Sequence, residues 1–360
     1  MPPDRDQITP VRLPDALDGQ ILAAEALRHG KGNAATGGIW RVRGPAGSAI
    51  LKVARPPAAG DGPRSFPTSD EPTHYNYWRR ESLAYETGFA ATVYAGAGIA
   101  APAMLAADAR PDGGVELWLA AVTGAGGFDW PPARLARFAR ELGAAQASYA
   151  GRVPDIPWLS RRWLAQYLAE VPNWVGHVDD AAWDHPYLAC WPRQVRRELR
   201  QLWPGRSRLL AASEAAERTL CHLDVWPANL IDEAGASVLF DWSFTGEGAL
   251  GEDVANLIVD CFADGLMDVA LLPEVADTVP DAYLAGLRDA GWTGSDDHVR
   301  RAIATCGAAK YSWFGPALAN RAARDDLGAS SYRQDTSAAS AIRRLTPLVT
   351  LIAAWAASTS

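Results

Sequence analysis

The sequence predicts a bilobal α+β fold, with a small antiparallel β lobe at the N-terminal side and a larger, mainly helical lobe after it. Three observations predict it. First, a hairpin pattern opens the chain: Ile39-Trp40-Arg41-Val42-Arg43 and Ala49-Ile50-Leu51-Lys52-Val53 flank the turn Gly44-Pro45-Ala46-Gly47. Second, a further strand over 115–122 ends in the glycine-rich step Thr123-Gly124-Ala125-Gly126-Gly127. Third, the apolar spacing beyond that step turns helical, over 134–149, 159–171, 194–202 and 207–216, and again through most of 254–357. The lobes are therefore set at 1–122 and 123–360, with a hinge at about 119–124. Between the hairpin and the hinge, 56–72 is a loop rich in Pro, Gly and Ser, and 75–89 is expected to be helical. Short strands are expected around Leu220-Cys221-His222 and Val238-Leu239-Phe240.

Bulk properties narrow the function. At 360 residues and 48% hydrophobic, with 15 Trp, the chain has ample apolar material for two cores. The net charge of −8 disfavours a nucleic-acid partner, because a phosphate backbone demands a basic face. No apolar run is long enough to span a membrane, and 345–357 reads as a final buried helix. Residues 1–18 carry acids and prolines and lack the order of a secretory leader. Cys190, Cys221, Cys261 and Cys306 are scattered without a Cys-x-x-Cys pair, so a reducing cytoplasm is expected and neither a zinc knuckle nor a redox dithiol is suggested.

The chemistry concentrates in His222-Leu223-Asp224-Val225-Trp226-Pro227-Ala228-Asn229, followed by Phe240-Asp241-Trp242. Phosphoryl transfer asks a protein for positioning: one carboxylate to orient a hydroxyl, and hard oxygens to hold Mg²⁺ against the phosphates. An Asp, an Asn five residues on and an Asp closing the next strand supply that set. The apolar runs Asn229-Leu230-Ile231 and Val238-Leu239-Phe240 form a short hairpin that brings Asn229 near Asp241. Three ordinary loop polars are the alternative reading. The spacing, with Gly246, Gly248 and Gly251 behind it, favours the chemical one.

These residues, with Gly248-Ala249-Leu250-Gly251-Glu252-Asp253, resemble the aminoglycoside phosphotransferase and choline-kinase-like superfamily, whose fold is that of the protein kinases. The resemblance implies ATP or GTP and Mg²⁺ as cofactors, with Asp224 as catalytic base and Asn229 and Asp241 as metal ligands. It also makes His222 a structural residue of the catalytic loop and Asp253 the buried acid that braces it. Lys52 resembles the strand lysine that contacts the α- and β-phosphates, with Glu81 or Glu86 as its helix partner, Glu81 being preferred. Gly37 and Gly38 close a glycine-rich stretch placed to cover phosphates, and Ala120 and Val122 lie on a hinge whose backbone would hold adenine. Leu223 stands where many antibiotic kinases have Gly, and Trp226 stands where protein kinases carry Lys. That indole is a candidate to stack on the acceptor.

Thirteen acids and no Lys or Arg occupy 219–287, which suggests an acidic cleft for a cationic, aminoglycoside-like acceptor, with Asp260 as its best single candidate. A Ser or Thr hydroxyl of a peptide in natural-product maturation is the alternative acceptor, and a nucleotide-binding pseudokinase is the non-enzymatic alternative. The tryptophans at Trp158, Trp163, Trp174, Trp183, Trp191 and Trp203 read mostly as core, with one or two at the acceptor pocket.

Overall fold

The computed structural model describes residues 10–30, 32–57, 66–170, 175, 178–327 and 332–359. Strands β1 (Ala23–Ala26), β2 (Thr36–Gly44) and β3 (Gly47–Ala54) run antiparallel, and the hairpin expected from the sequence pairs Gly44 with Gly47. The chain then forms α1 (Arg80–Glu86), the short α2 (Phe89–Thr92) and β4 (Ile99–Ala100). Strands β5 (Met104–Ala109) and β6 (Val115–Ala120) complete a five-stranded sheet in the order β1-β2-β3-β6-β5. The expectation of a small antiparallel sheet before a mainly helical part is met.

Period-2 alternation explains how this sheet serves a cleft. Leu51, Val53, Val42 and Trp118 bury one face in a small core of their own. The alternate residues Ile50 and Lys52 of β3, Ile39 of β2 and Leu119 of β6 point the other way and line a cavity.

After β7 (Ala125–Gly126) the chain is mainly helical: α3 (Pro132–Ala147), α4 (Trp163–Glu170) and α5 (Arg193–Glu214). A cluster of short strands follows, β8 (Arg218–Cys221), β9 (Leu230–Glu233), β10 (Ala236–Leu239) and β11 (Gly246–Ala249). Helices α6 (Glu252–Asp260), α7 (Leu272–Asp289), α8 (Asp296–Lys310), α9 (Phe314–Arg324), α10 (Ala338–Arg344) and α11 (Thr346–Ser358) close the fold. Among the described residues no helix is long and apolar enough to cross a membrane.

Two elements differ from the sequence reading. The stretch expected as two helices with a break near Pro204 is one helix of 22 residues, α5. Its Val195, Leu199 and Leu209 are buried, and it packs on α8 and α11, so tertiary burial overrides the local penalty of an internal proline. The helix expected over 75–89 is confined to α1, and Gly88, at φ 72°, separates it from α2. Its missing first turn has a specific cause. The carbonyls of Pro72, His74 and Tyr75 all accept hydrogen bonds from the guanidinium of Arg80, and only that of His74 also takes a backbone amide, from Tyr77.

Arg80 is fully buried, and its other bonds go to the carbonyls of Trp158 (2.8 Å) and Ser243 (3.0 Å) in the helical part. Burial pulls its pKa down to about 9, so it keeps its charge at neutral pH. The β4 strand pairs in parallel with β10, and the Tyr94 hydroxyl donates to the Leu220 carbonyl at 2.8 Å, so the segment from Tyr75 to Ile99 packs in the larger core with the helices. Replacing Arg80 with Met is expected to cost about 3–5 kcal/mol, because it strands the buried carbonyls of Tyr75, Trp158 and Ser243. Arg80→Lys should recover little of this, since an ammonium cannot fan out to carbonyls on both sides. Urea midpoints of the two variants check both statements.

Candidate active site

The hairpin of β9 and β10 sets the polar residues. Leu230 pairs with Leu239, and one step further the Phe240 amide donates to the Asn229 carbonyl at 3.1 Å. Asn229 and Asp241 are thereby brought to the same end of one hairpin. Its turn, Ala234-Gly235, has both residues at positive φ (53° and 92°), the conformation that matches strand twist. Asn229 then donates through Nδ2 to the Asp224 carbonyl at 3.0 Å and to Asp224 Oδ2 at 2.9 Å.

Asp241 leaves β10 in the left-handed region (φ 63°), and its Oδ1 lies 2.8 Å from Lys52 Nζ. Lys52 also forms an ion pair with Glu81 of α1, whereas Glu86 is exposed at the far end of that helix. The geometry chooses Glu81. Burial works to lower the Lys52 pKa, but the carboxylates of Asp241 and Glu81 outweigh it and hold the ammonium charged, above its ordinary value. Burial pushes the Glu81 carboxyl up to about 7 against the pull of Lys52. Burial works to raise the half-buried Asp241 carboxyl, yet Lys52 keeps it below the ordinary carboxylate range. Asp224 is raised, by burial first and by the neighbouring Asp241 second, with Lys310 and Asn229 opposing.

The loop carrying Asp224 is braced from beneath. Asp253, in the first turn of α6, accepts the amides of His222 (2.8 Å) and Leu223 (2.7 Å) and the side chain of Gln146 (2.7 Å). Burial pushes its pKa up to about 6 in spite of those donors. Leu223 sits at φ 67°, which explains why glycine suits that position. His222 is fully buried edge-on against Trp242, with ring centroids 4.8 Å apart, and neither ring nitrogen makes an aligned hydrogen bond.

These groups meet in a cavity of about 770 Å³ between the five-stranded sheet and the helices. Lys52, Glu81, Ala120, Val122, Asp224, Trp226, Asn229, Asp241 and Asp260 all line it. His222 and Asp253 lie behind it. Gly37 and Gly38 begin β2 at a register shift and do not line the cavity; Gly32, Asn33 and Thr36 do. A Cβ on Gly38 would fall 2.2 Å from the Trp40 ring, so glycine is required there for packing. Trp226 is edge-on to Phe128 and Tyr332, with centroids at 5.8 and 5.2 Å.

The acidic run of 219–287 does not gather in the cavity. Of its members only Asp224, Asp241, Asp260 and Asp264 line it, while Glu233, Asp268, Glu274, Asp277 and Asp281 face outward. Amphipathic helices put such acids on the solvent side. Trp158, Trp183 and Trp191 are core, Trp163 is buried yet lines the cavity, Trp203 is half-buried under Arg206, and Trp174 lies outside the described residues. Sequence reasoning missed Arg80, Tyr167 and Lys310. Lys310 carried one signal: it is one of three lysines in the chain and follows the apolar pair Ala308-Ala309.

Comparison with known proteins places this arrangement. Residues 34–294 match the phosphotransferase enzyme family (APH), a stretch that includes the Asp224 loop, Asn229, Asp241 and Lys52. The chain belongs to that family. It is a phosphotransferase by membership, and its fold agrees. An aminopropanol kinase associated with a microcompartment superposes with a TM-score of 0.54 at 13% identity, over 93% of this chain and 90% of that one. An amicoumacin kinase, solved with AMP-PNP, Ca²⁺ and its ligand, gives 0.51 at 15%, over 92% and 88%. A thermostable mutant of aminoglycoside phosphotransferase APH(4)-Ia gives 0.51 at 15%, over 95% and 97%. No curated protein matches the sequence itself.

A neutral, buried His222 makes the phosphotransferase sensitive to acid. Burial pulls its pKa from 6.5 down to about 4. Between those values the unfolded chain holds a proton that the native ring lacks, so stability falls as the pH drops from about 6.5 towards 4. The loss approaches 3 kcal/mol at about 1.36 kcal/mol per unit. Denaturation midpoints across that range should fall less steeply for His222→Asn than for the parent.

Proposed function

We propose that this protein is a Mg²⁺- and ATP-dependent kinase that moves the γ-phosphate onto a hydroxyl of a small molecule. The observation that carries the reading is the meeting of Asp224, Asn229, Asp241 and Lys52 from three separate stretches of chain in one cavity. In this reading the apolar wall of Ile39, Ile50 and Leu119 receives the nucleotide base, beside the backbone of Ala120 and Val122. Lys52 sets the phosphates, held in place by Glu81. Gly37 and Gly38 shape the strand entry, and the residues placed to approach phosphate are Gly32, Asn33 and Thr36.

Asp224 orients the acceptor hydroxyl towards the γ-phosphorus. As the new P–O bond forms, the hydroxyl proton passes to the Asp224 carboxylate, and the electron pair of the breaking P–O bond leaves with the β-phosphate. Asn229 keeps the Asp224 carboxylate in one orientation through its Nδ2. The amide oxygen of Asn229 and the carboxylate of Asp241 are hard donors of the kind Mg²⁺ takes, and they would hold the ion at this end of the cavity. When bound, that ion offsets phosphate charge. His222 and Asp253 act through the backbone, by fixing the loop that presents Asp224.

The acceptors named for the similar structures are small molecules, which supports a small-molecule acceptor here over a peptide. Convergence of all four catalytic polars supports an enzyme over a scaffold. Asp224→Asn is expected to lower γ-phosphate transfer about 10²- to 10⁴-fold with nucleotide binding retained. Asp241→Asn is expected to weaken Mg²⁺-dependent ATP binding as well. Transfer to pooled alcohols, with ATP affinity measured in parallel, checks both; an Asp224→Asn enzyme at full rate would overturn the assignment.

A further inference from the structure

The acceptor end of the cavity carries its own cation. Lys310, the last residue of α8, is buried, and its Nζ lies 5.0 Å from the Trp163 ring centroid and 5.3 Å from that of Tyr311. It also lies 3.7 Å from Asp260 Oδ2. A ring face with a carboxylate beside it is where an ammonium ligand would be recognised. Here that place is taken by a tethered ammonium.

The remaining negative charge at this end is engaged as well. Asp260 accepts the Tyr311 hydroxyl at 2.7 Å in addition to facing Lys310. Asp264, the other carboxylate on this side, sits in the field of Arg321 and Arg333. Around them the wall is flat and apolar: Trp163 and Tyr167 stack with centroids 4.8 Å apart and planes 10° apart.

We propose that the acceptor is a neutral or anionic alcohol with a flat apolar body, and that Lys310 determines this by excluding an ammonium and donating to an oxygen of the acceptor. The proposal rests on the kinase reading above and replaces the cationic acceptor expected from the acidic run. Desolvation gives it force. Placing a second ammonium beside Lys310 would bury two like charges together, with Asp260 already shared between Lys310 and Tyr311. An acceptor carboxylate or carbonyl gains a charge-assisted hydrogen bond at the same spot. Lys310 also lies beyond the stretch 34–294 that matches the family, so nothing in that match assigns it.

The test uses three probes that share a ring and a hydroxymethyl group: benzyl alcohol, 4-(hydroxymethyl)benzoate and 4-(aminomethyl)benzyl alcohol. Affinity for the full chain loaded with Mg²⁺ and a non-hydrolysable ATP analogue is measured by ligand-observed NMR, for the parent, Lys310→Met and Lys310→Arg. The parent should bind the benzoate and the neutral alcohol at least about 10-fold tighter than the amine. Lys310→Met should lose the preference for the benzoate and gain the amine, while Lys310→Arg keeps the parental order. An amine bound tightest by the parent, or an order unchanged in Lys310→Met with its melting temperature retained, overturns the proposal. Asp224-dependent hydrolysis of Mg²⁺-ATP, measured on the same preparations, reports on the kinase reading independently. Its loss with the charge order intact would overturn that reading and leave Lys310 as the selector of a bound ligand.

Discussion

The contact between Lys52 and Asp241 joins residues 189 positions apart and carries the sheet onto the helical part at one point. A partly buried pair of this kind adds little net stability, because desolvating two charges offsets their attraction. What it supplies is geometry. Lys52 can satisfy its charge only where β3, the end of β10 and α1 approach together, since its partners come from all three. The adjacent residues Arg80 and Glu81 make that approach obligatory. Arg80 reaches to Trp158 and Ser243 in the helical part, and Glu81 reaches to Lys52 in the sheet. One turn of α1 therefore ties both walls of the cavity to each other, and Ser243 is only two residues past Asp241.

The parts of this site that were legible in the sequence are those built from local pattern. Alternation on β3 exposes Lys52 to the cleft, and the paired apolar runs around Asn229 and Asp241 force a hairpin with both at one end. Asp253 was legible only through resemblance, since nothing local says that its carboxylate turns back to the amides of His222 and Leu223. Arg80 was not legible. An arginine beside another arginine at a helix start reads as a solvated residue, and its burial depends on carbonyls about 78 and 163 residues away. The acidic run was legible only in part: composition counts charges, and the fold brings Asp224, Asp241, Asp260 and Asp264 of that run to the cavity while others face outward.

Leu223 shows how the catalytic loop tolerates a departure from glycine. A left-handed conformation costs a side chain about 1–2 kcal/mol. Burying a leucine returns about 1.5–3 kcal/mol, and Leu223 is fully buried against the core that includes Cys221 and Val225. Its amide is meanwhile held by Asp253 at 2.7 Å. The exchange is close to balanced, so the loop keeps its path and Asp224 its place.

The two lysines among the described residues both line the cavity, in a chain whose other cations are almost all arginine. The side chains differ in shape as well as basicity. A guanidinium needs a planar fork of acceptors, as Arg80 finds among its carbonyls. An ammonium is compact enough to sit between two carboxylates, as Lys52 does, or close over ring faces, as Lys310 does. Both lysines line the same cavity, with their charges held by carboxylates beside it. In the proposed reading Lys52 meets the nucleotide's phosphate, and the same physical argument at Lys310 points to an oxygen of the acceptor.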